Sequence, residues 1–131
     1  MSLPDSNPKT RFGVTKPSMA VVPPVALLHL AGAMRHGAEK YGPFNWRDAA
    51  VSSTVYYDAA QRHLMAWLDG EDVDAESGVH HLGHVMACCA IILDARAQAM
   101  LNENRPEAGH FRDVCAAMTK PLKTPPKRAK R

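Results

Sequence analysis

The stretch 75-AESGVHHLGHVMACCAIILDARAQAML-101 decides the fold of this 131-residue chain. Its apolar residues recur every three or four positions, which is the spacing that buries one face of a helix. It therefore predicts one long helix over residues 75–101. The residues expected on the core-facing side of that helix are Val79, Leu82, Val85, Met86, Cys89, Ile92 and Leu93.

A second helix is predicted just before this one, over residues 54–69. Four residues fall at i, i+4, i+7 and i+11 and so share one helical face: Tyr56, Ala60, His63 and Trp67. Gly70 follows and is expected to end the helix.

Toward the N-terminus, another helix should begin at residues 23–24, because paired prolines suit a helix start. It should end between residues 37 and 41, and residues 42–53 are predicted as a loop. Residues 102–106 break the long helix, and residues 107–118 predict a last short one. The expected fold is all-α, a small helical bundle.

Both ends of the chain are predicted to lie outside the helical domain, which spans residues 24–118. Residues 1–23 contain four prolines and are predicted as an extended arm, not a helix. Residues 119–131 are predicted as a basic, flexible and disordered tail. Six of the sixteen Lys and Arg residues lie from residue 120 onward, where there is no acid, so the net charge of +3 comes from this tail.

Composition excludes several classes of protein. Hydrophobic residues make up 46% and charged residues 22%, which is typical of a globular chain. The three cysteines, two of them adjacent, indicate reduced thiols and a cytoplasmic protein rather than a secreted disulfide scaffold. The N-terminus lacks the apolar core of a signal peptide, and the apolar stretches are too short to span a bilayer. Membrane proteins and multidomain enzymes are therefore not expected.

A dense polar cluster lies between residues 71 and 84. Its members are Glu71, Asp72, Asp74, Glu76, His80, His81 and His84. Four carboxylates within six residues repel one another unless a cation lies among them. Oxygen ligands favour Mg²⁺ or Mn²⁺, and imidazole shifts the preference toward Mn²⁺, Co²⁺ or Zn²⁺. The cluster predicts a divalent-metal site; the alternative is an acidic first helical turn whose histidines only cap or pair.

Spacing within this cluster narrows the chemistry. On a helix, its three histidines would share a face about 100° wide, and His63 would point toward the same end. The histidine spacing at 80–84 is that of a zincin, but His81 stands where a zincin needs glutamate, so a metalloprotease is excluded. The sequence has no cysteine pair at zinc-finger spacing, no His-Asp dipeptide and no glycine-rich P-loop.

A second cluster lies at residues 35–47. It consists of Arg35, His36, Glu39, Lys40, Tyr41, Asn45, Trp46 and Arg47. Cations, an amide and two aromatic rings suit a planar, phosphorylated ligand: Trp46 can stack on a base and Asn45 can read its edge. Lys40 and Arg47 can hold phosphates. The alternative is a helix C-terminus with favourable cations, in which Trp46 only fills the core.

The order of several short motifs resembles a known family. The motifs are Gly37-Ala38-Glu39-Lys40-Tyr41, Asn45-Trp46-Arg47, Arg62-His63-Leu64, the run from Gly70 to Gly78, and His81-Leu82-Gly83-His84. Together they resemble the phage dATP/dGTP diphosphohydrolase family, which is similar to the MazG-like all-α NTP pyrophosphohydrolases. The resemblance covers residues 9–113.

This resemblance implies an enzyme that uses Mg²⁺ or Mn²⁺, with two or more ions per site. It would cleave dGTP, with dATP as a further candidate, to the monophosphate and pyrophosphate. In some phages such an enzyme supplies dGMP for making 2-aminoadenine nucleotides. The resemblance also implies a homodimer or homotetramer in the host cytoplasm, without a membrane or nucleic-acid partner.

Roles for individual residues follow from the resemblance and from general metal chemistry. The implied metal ligands are Glu71, Asp74, His81 and His84. Either Glu76 or His63 would take the proton from the attacking water. The implied substrate-binding residues are Lys16, Lys40, Tyr41, Asn45, Trp46, Arg47 and Arg62. The usual MazG pattern of Glu-x-x-Asp on one helix is not literally present. Glu71 and Asp74 have this spacing but precede the predicted long helix, and on that helix the two positions with this spacing are His81 and His84.

Two other interpretations stay open on the sequence. In the first, the histidines and acids form a structural Zn²⁺ site in a non-enzymatic module whose basic tail binds nucleic acid. In the second, the enzyme is MazG-like but acts on another nucleotide, such as dUTP or dCTP. A structural zinc site needs four closed ligands, whereas this cluster offers more carboxylate oxygens than that.

Overall fold

The computed structural model describes residues 1–123 and 127–129 and is mostly helical. Its elements, in chain order, are α1 (Pro8–Gly13), a 3-10 turn (Met19–Val21), α2 (Pro24–Tyr41), α3 (Asn45–Asp48), β1 (Val51–Ser52), α4 (Ser53–Leu68), α5 (His81–Ala97), β2 (Leu101–Asn102) and α6 (Phe111–Met118). The all-α fold expected from the sequence is confirmed. Among the described residues, no helix combines the length and the apolar character needed to cross a membrane.

Helix α5 is central, and α2 and α4 both pack on it. The most buried apolar residues of α5 are small: Ala87, Cys88 and Ala95 are at most 8% exposed. Small side chains let the flanking helices approach closely. At Gly83 a Cβ atom would lie 2.6 Å from the carbonyl oxygen of His29 on α2, so the contact between these two helices requires glycine.

The bounds of α2 and α4 agree with the sequence prediction to within a residue or two. A proline occupies the first helical position of α2, where its missing N–H removes no hydrogen bond. Gly42 (φ 90°) follows α2 and Gly70 (φ 100°) follows α4. Positive φ is unfavourable for residues with a side chain, so glycine at these positions allows the chain to leave each helix.

The long helix predicted over residues 75–101 is wrong at both ends, because α5 spans His81–Ala97 and Leu101 belongs to β2. Gly78 has φ 71°, which ends any helix there. The chain instead folds back on itself, with an isolated antiparallel bridge between Val73 and His80. His80 then caps α5, since its Nδ1 accepts a hydrogen bond from the Leu82 N–H at 3.0 Å. Residues 71–80 are called the acidic turn below.

The loop predicted over residues 42–53 contains two short elements, α3 and β1. Strand β1 pairs in parallel with β2, in the register Val51↔Leu101 and Ser52↔Asn102. This pairing joins the start of α4 to the chain just after α5. Local sequence favours strand only weakly here, and a two-residue parallel pair depends on contacts that are distant in sequence.

The N-terminal arm is not wholly extended as predicted. It contains α1, which Asn7 caps by accepting a hydrogen bond from the Lys9 N–H at 2.9 Å, and the 3-10 turn at residues 19–21. Pro8 at the first position of α1 favours a helix start instead of preventing it. The predicted tail falls partly on residues 124–126, 130 and 131, which lie outside the described residues; residues 119–123 form neither helix nor strand.

Candidate active site

A groove of about 870 Å³ brings both sequence clusters together. Helix α5 forms its floor, and α2 and α4 supply the walls. The acidic turn contributes Asp74 and Glu76 at one end, while α3 contributes Asn45 and Trp46 at the other. A single ligand can therefore touch the acid–histidine cluster and the amide–aromatic cluster at once.

A hydrogen-bonded chain crosses from the acidic turn to α4. His81 Nε2 lies 2.6 Å from Glu71 Oε1, and His81 Nδ1 lies 2.8 Å from His63 Nδ1. With both imidazoles neutral, His81 donates to the carboxylate and accepts from the His63 Nδ1–H. His63 then carries a lone pair on Nε2, the state of a proton acceptor.

A second polar chain lies beside the first. The Ser77 hydroxyl donates to Asp74 Oδ2 at 2.8 Å and lies 2.6 Å from His84 Nε2. The same carboxylate oxygen is 3.5 Å from His84 Nε2. The ring of His63 stacks on that of His84, with centroids 4.5 Å apart and 14° between the planes. The two chains therefore form one packed cluster of acids and imidazoles.

Within this cluster, one group of three residues has the geometry of a cation site. Ligand atoms of Glu71, Asp74 and His81 all lie within 4.8 Å of one another. Two carboxylates and one imidazole suit a divalent ion of the Mg²⁺, Mn²⁺ or Zn²⁺ type. His84, the fourth ligand predicted from the sequence, lies outside this group but contacts Asp74.

Burial sets the protonation states of the cluster. It lowers the pKa of His63, and the neighbouring His81 lowers that pKa further. It also lowers the pKa of His84, with His63 adding to the effect. Burial opposes ionisation of Asp74, but hydrogen bonds from the Ser77 hydroxyl and the Glu76 backbone N–H keep the pKa of Asp74 below its ordinary value. At neutral pH the site combines neutral imidazoles with an ionised carboxylate, as metal binding requires.

The cations predicted to bind phosphate are placed differently from one another. Lys40 and Arg62 line the groove. Lys40 Nζ lies 3.4 Å from Glu76 Oε1 and so links α2 to the acidic turn. A hydrogen bond involving Tyr41, and then Glu76, raises the pKa of Lys40, so this lysine stays charged. Arg62 forms no ion pair with any other described residue, which leaves it available to an anionic ligand.

Two predicted phosphate ligands do not line the groove. Lys16 belongs to the arm and lines a separate shallow hollow formed by the arm itself. Arg47 points away from the groove to Asp94 of α5, with Nε–Oδ2 and Nη2–Oδ1 distances of 2.8 Å each. Its guanidinium group is therefore engaged by a carboxylate, because the short helix α3 turns it toward α5.

At the end of the groove formed by α3, Trp46 is largely buried. Trp46 is 6% exposed, and its indole N–H donates to Asp94 Oδ2 at 2.6 Å. Tyr41 and Asn45 line the groove, as does Phe44, which sequence reasoning missed. Asp94 was also missed, because no local motif marks an acid that lies about fifty residues from its partners. Ser77 could have been noticed, since it shares the acidic turn with the predicted ligands.

The fold and the groove together define an all-α protein with a candidate site for a divalent cation and a phosphorylated, planar ligand. The chain belongs to the dATP/dGTP diphosphohydrolase family, because the model of that family's N-terminal region matches residues 6–105. It is 28% identical over 74 residues to a protein of Salmonella phage PMBT28 named dATP/dGTP diphosphohydrolase. That alignment covers 56% of this chain and 25% of the relative, so the chain spans about a quarter of the curated relative that it matches. No solved structure matches the chain.

Proposed function

We propose that this chain hydrolyses dGTP, with dATP as a second substrate, to the monophosphate and pyrophosphate in the groove on α5. The observation that carries the proposal is the group formed by Glu71, Asp74 and His81, because Asp74 and His81 line the same groove as the cations Lys40 and Arg62 and the aromatic residues Tyr41 and Phe44. Membership of the dATP/dGTP diphosphohydrolase family supports the same substrate class.

The acidic turn is the proposed place of the metal. Glu71, Asp74 and His81 would hold Mg²⁺ or Mn²⁺, and His84 stands beside Asp74 to share or support a second ion. When bound, such ions neutralise triphosphate charge and lower the pKa of a water molecule. Three ligands, one of them an exposed carboxylate, leave coordination positions open, which supports a catalytic site over the closed four-ligand zinc site.

The hydrogen-bonded chain supports different proposed roles for His63 and Glu76. If His81 offers its Nε2 lone pair to a cation, its proton lies on Nδ1 and is donated to His63 Nδ1, 2.8 Å away. His63 then carries its own proton on Nε2 and can donate to a phosphate oxygen. Glu76, at the edge of the groove, is left as the proposed acceptor of the water proton.

Lys40 and Arg62 are the proposed phosphate ligands. Lys40 would leave Glu76 for the triphosphate, because that pair is 48% and 74% exposed and so is only weakly stabilising. Its departure would free the Glu76 carboxylate at the moment when substrate is bound. Tyr41, Asn45 and Phe44 would contact the base.

We also propose that the protein forms a homodimer or homotetramer in the cytoplasm of a phage host. The three packed helices leave large apolar side chains on the outside: Leu28, Met65, Leu68 and Leu93 are between 67% and 82% exposed. A second copy would cover such surface. In a phage, the dGMP formed would be available for 2-aminoadenine nucleotide synthesis.

The test is a screen of all dNTPs and NTPs with Mg²⁺ and with Mn²⁺, carried out in ¹⁸O-labelled water. The expected products are dGMP and pyrophosphate, with the label in dGMP, because the water attacks the α-phosphorus. EDTA should abolish the reaction. Formation of dGDP and orthophosphate would contradict the proposal. A rise in melting temperature with Zn²⁺ but no hydrolysis of any nucleotide would instead support the structural zinc module.

A further inference from the structure

A carboxylate behind the groove wall holds the base end in place. Asp94 lies on α5 and accepts hydrogen bonds from two consecutive residues of α3. The Trp46 indole N–H donates to Oδ2 at 2.6 Å, and the Arg47 guanidinium donates to both carboxylate oxygens at 2.8 Å. Bidentate and charge-assisted bonds of this kind are strong and fix orientation as well as distance.

Helix α3 needs such an external tether. It has four residues, and its N-cap residue, Phe44, makes no capping hydrogen bond through its side chain. Phe44 also has φ 55°, a left-handed conformation that is unfavourable for a residue with a side chain. So short a helix does not hold itself together in water. The Arg47 guanidinium lies over the Phe44 ring at 4.7 Å from its centroid, so the tether reaches Phe44 as well.

We propose that Asp94 is the positioning residue for base recognition, acting through Trp46 and Arg47 to hold α3 so that Phe44 and Asn45 face the groove. This inference rests on the proposed function, since it names the residue that orients one end of the same site. Asp94 and Arg47 do not line the groove, whereas Phe44 and Asn45 do. Phe44 is 55% exposed and Trp46 only 6%, so Phe44 presents the open aromatic face to a planar base.

The test compares Asp94→Asn with Asp58→Asn, a matched control on α4 whose side chain is exposed and does not line the groove. KM and kcat are measured for dGTP, together with the inhibition constant of pyrophosphate, which reports only the phosphate end. Asp94→Asn should raise KM for dGTP about tenfold, leave kcat within about twofold, and leave the pyrophosphate constant unchanged. Asp58→Asn should match the wild type in all three.

Arg47→Lys serves as a second variant, because it keeps the charge but loses the two-pronged contact with Asp94. It should also raise KM without changing inhibition by pyrophosphate. An unchanged KM in both variants would overturn the inference. So would a parallel loss of kcat and of pyrophosphate binding, since a merely structural role would damage both ends of the groove. If wild-type protein hydrolyses no nucleotide, the proposed function itself fails, and that result is distinct from either outcome.

Discussion

Replacing Gly83 by alanine should destabilise the protein, because the added methyl group would meet backbone atoms of α2. The new Cβ would lie 2.6 Å from the His29 carbonyl oxygen and 3.1 Å from its carbonyl carbon. Carbon and oxygen atoms normally approach no closer than about 3.3 Å, so α2 and α5 would have to move apart by roughly 0.7 Å. A backbone oxygen cannot rotate away as a flexible side chain would.

The size of the effect follows from two opposing contributions. Overpacking of this kind costs about 1–3 kcal/mol, and a rigid backbone contact places Gly83→Ala toward the upper part of that range. Alanine regains at most about 1 kcal/mol over glycine through its helix propensity. The net loss in the free energy of unfolding should be about 1–2 kcal/mol, measured by urea titration with an unchanged m value.

Two other glycines provide matched controls. At Gly37, also helical, an added Cβ meets nothing within 4 Å, and at Gly32 it meets only Val79 methyl groups at 3.8 Å and 3.9 Å. Alanine at either position should therefore be neutral or stabilising by up to about 1 kcal/mol. If Gly83→Ala were as stable as Gly37→Ala, the close contact between α2 and α5 would be refuted, and with it the width of the groove.

Three further predictions concern the site and the tail. Glu71→Gln should abolish turnover without lowering the melting temperature, whereas Asp72→Asn, whose side chain is 76% exposed, should retain turnover; equal losses in initial-rate assays would contradict the ligand assignment. In EDTA the free energy of unfolding should fall as the pH drops below about 6.5, because burial lowers the folded-state pKa of His63 and His84 and the unfolded chain binds protons first. The fall should be smaller in His63→Gln. A fall of the same size in this variant would argue against a lowered pKa of His63. Truncation after Thr119 should preserve turnover and the oligomer size by light scattering, since residues 120–131 are basic and lack apolar periodicity, and a loss of turnover would place tail lysines in the site.

Helices with a clear apolar period and glycine or proline at their ends could be predicted closely from the sequence. Proline starts α2, and glycines at positive φ follow α2 and α4. The non-helical conformation of residues 75–80 could not, because the apolar periodicity of the long helix continued through them in the sequence. The positive φ of Gly78, the bridge from Val73 to His80 and the hydrogen bond from the Asp74 N–H to the Val79 carbonyl show that the chain turns back there.

The acid–histidine cluster was predicted correctly as a neighbourhood, although the helix used to argue for it is absent from residues 75–80. On a continuous helix, Asp74 and His84 would share a face but stand about 15 Å apart along the axis, too far for contact. The turn brings Asp74 Oδ2 within 3.5 Å of His84 Nε2. The angular argument grouped His80 with His81 and His84, whereas the structure uses His80 as the cap of α5; the break in the helix is what brings Asp74 against His84.

The base end shows a different limit of sequence reasoning. Residue types at 41–47 indicated a planar ligand, but which side chains face it depends on Asp94, which is distant in sequence. Long-range pairing of this kind leaves no local signal. Through this pairing Asp94 holds Trp46 and Arg47, so that their neighbours Phe44 and Asn45 face the groove.

Helix α5 contacts the elements that form both ends of the groove. His84 contacts the acidic turn and Asp94 holds α3, and the ten helical steps from one to the other span about 15 Å of rigid helix. An intact nucleoside triphosphate held at both ends is a bivalent ligand, so each contact raises the effective concentration of the other. Cleavage between the α- and β-phosphates separates the base-bound part from the pyrophosphate. Each product then keeps only one set of contacts, and on the proposed function both should leave the groove more readily than the substrate that they came from.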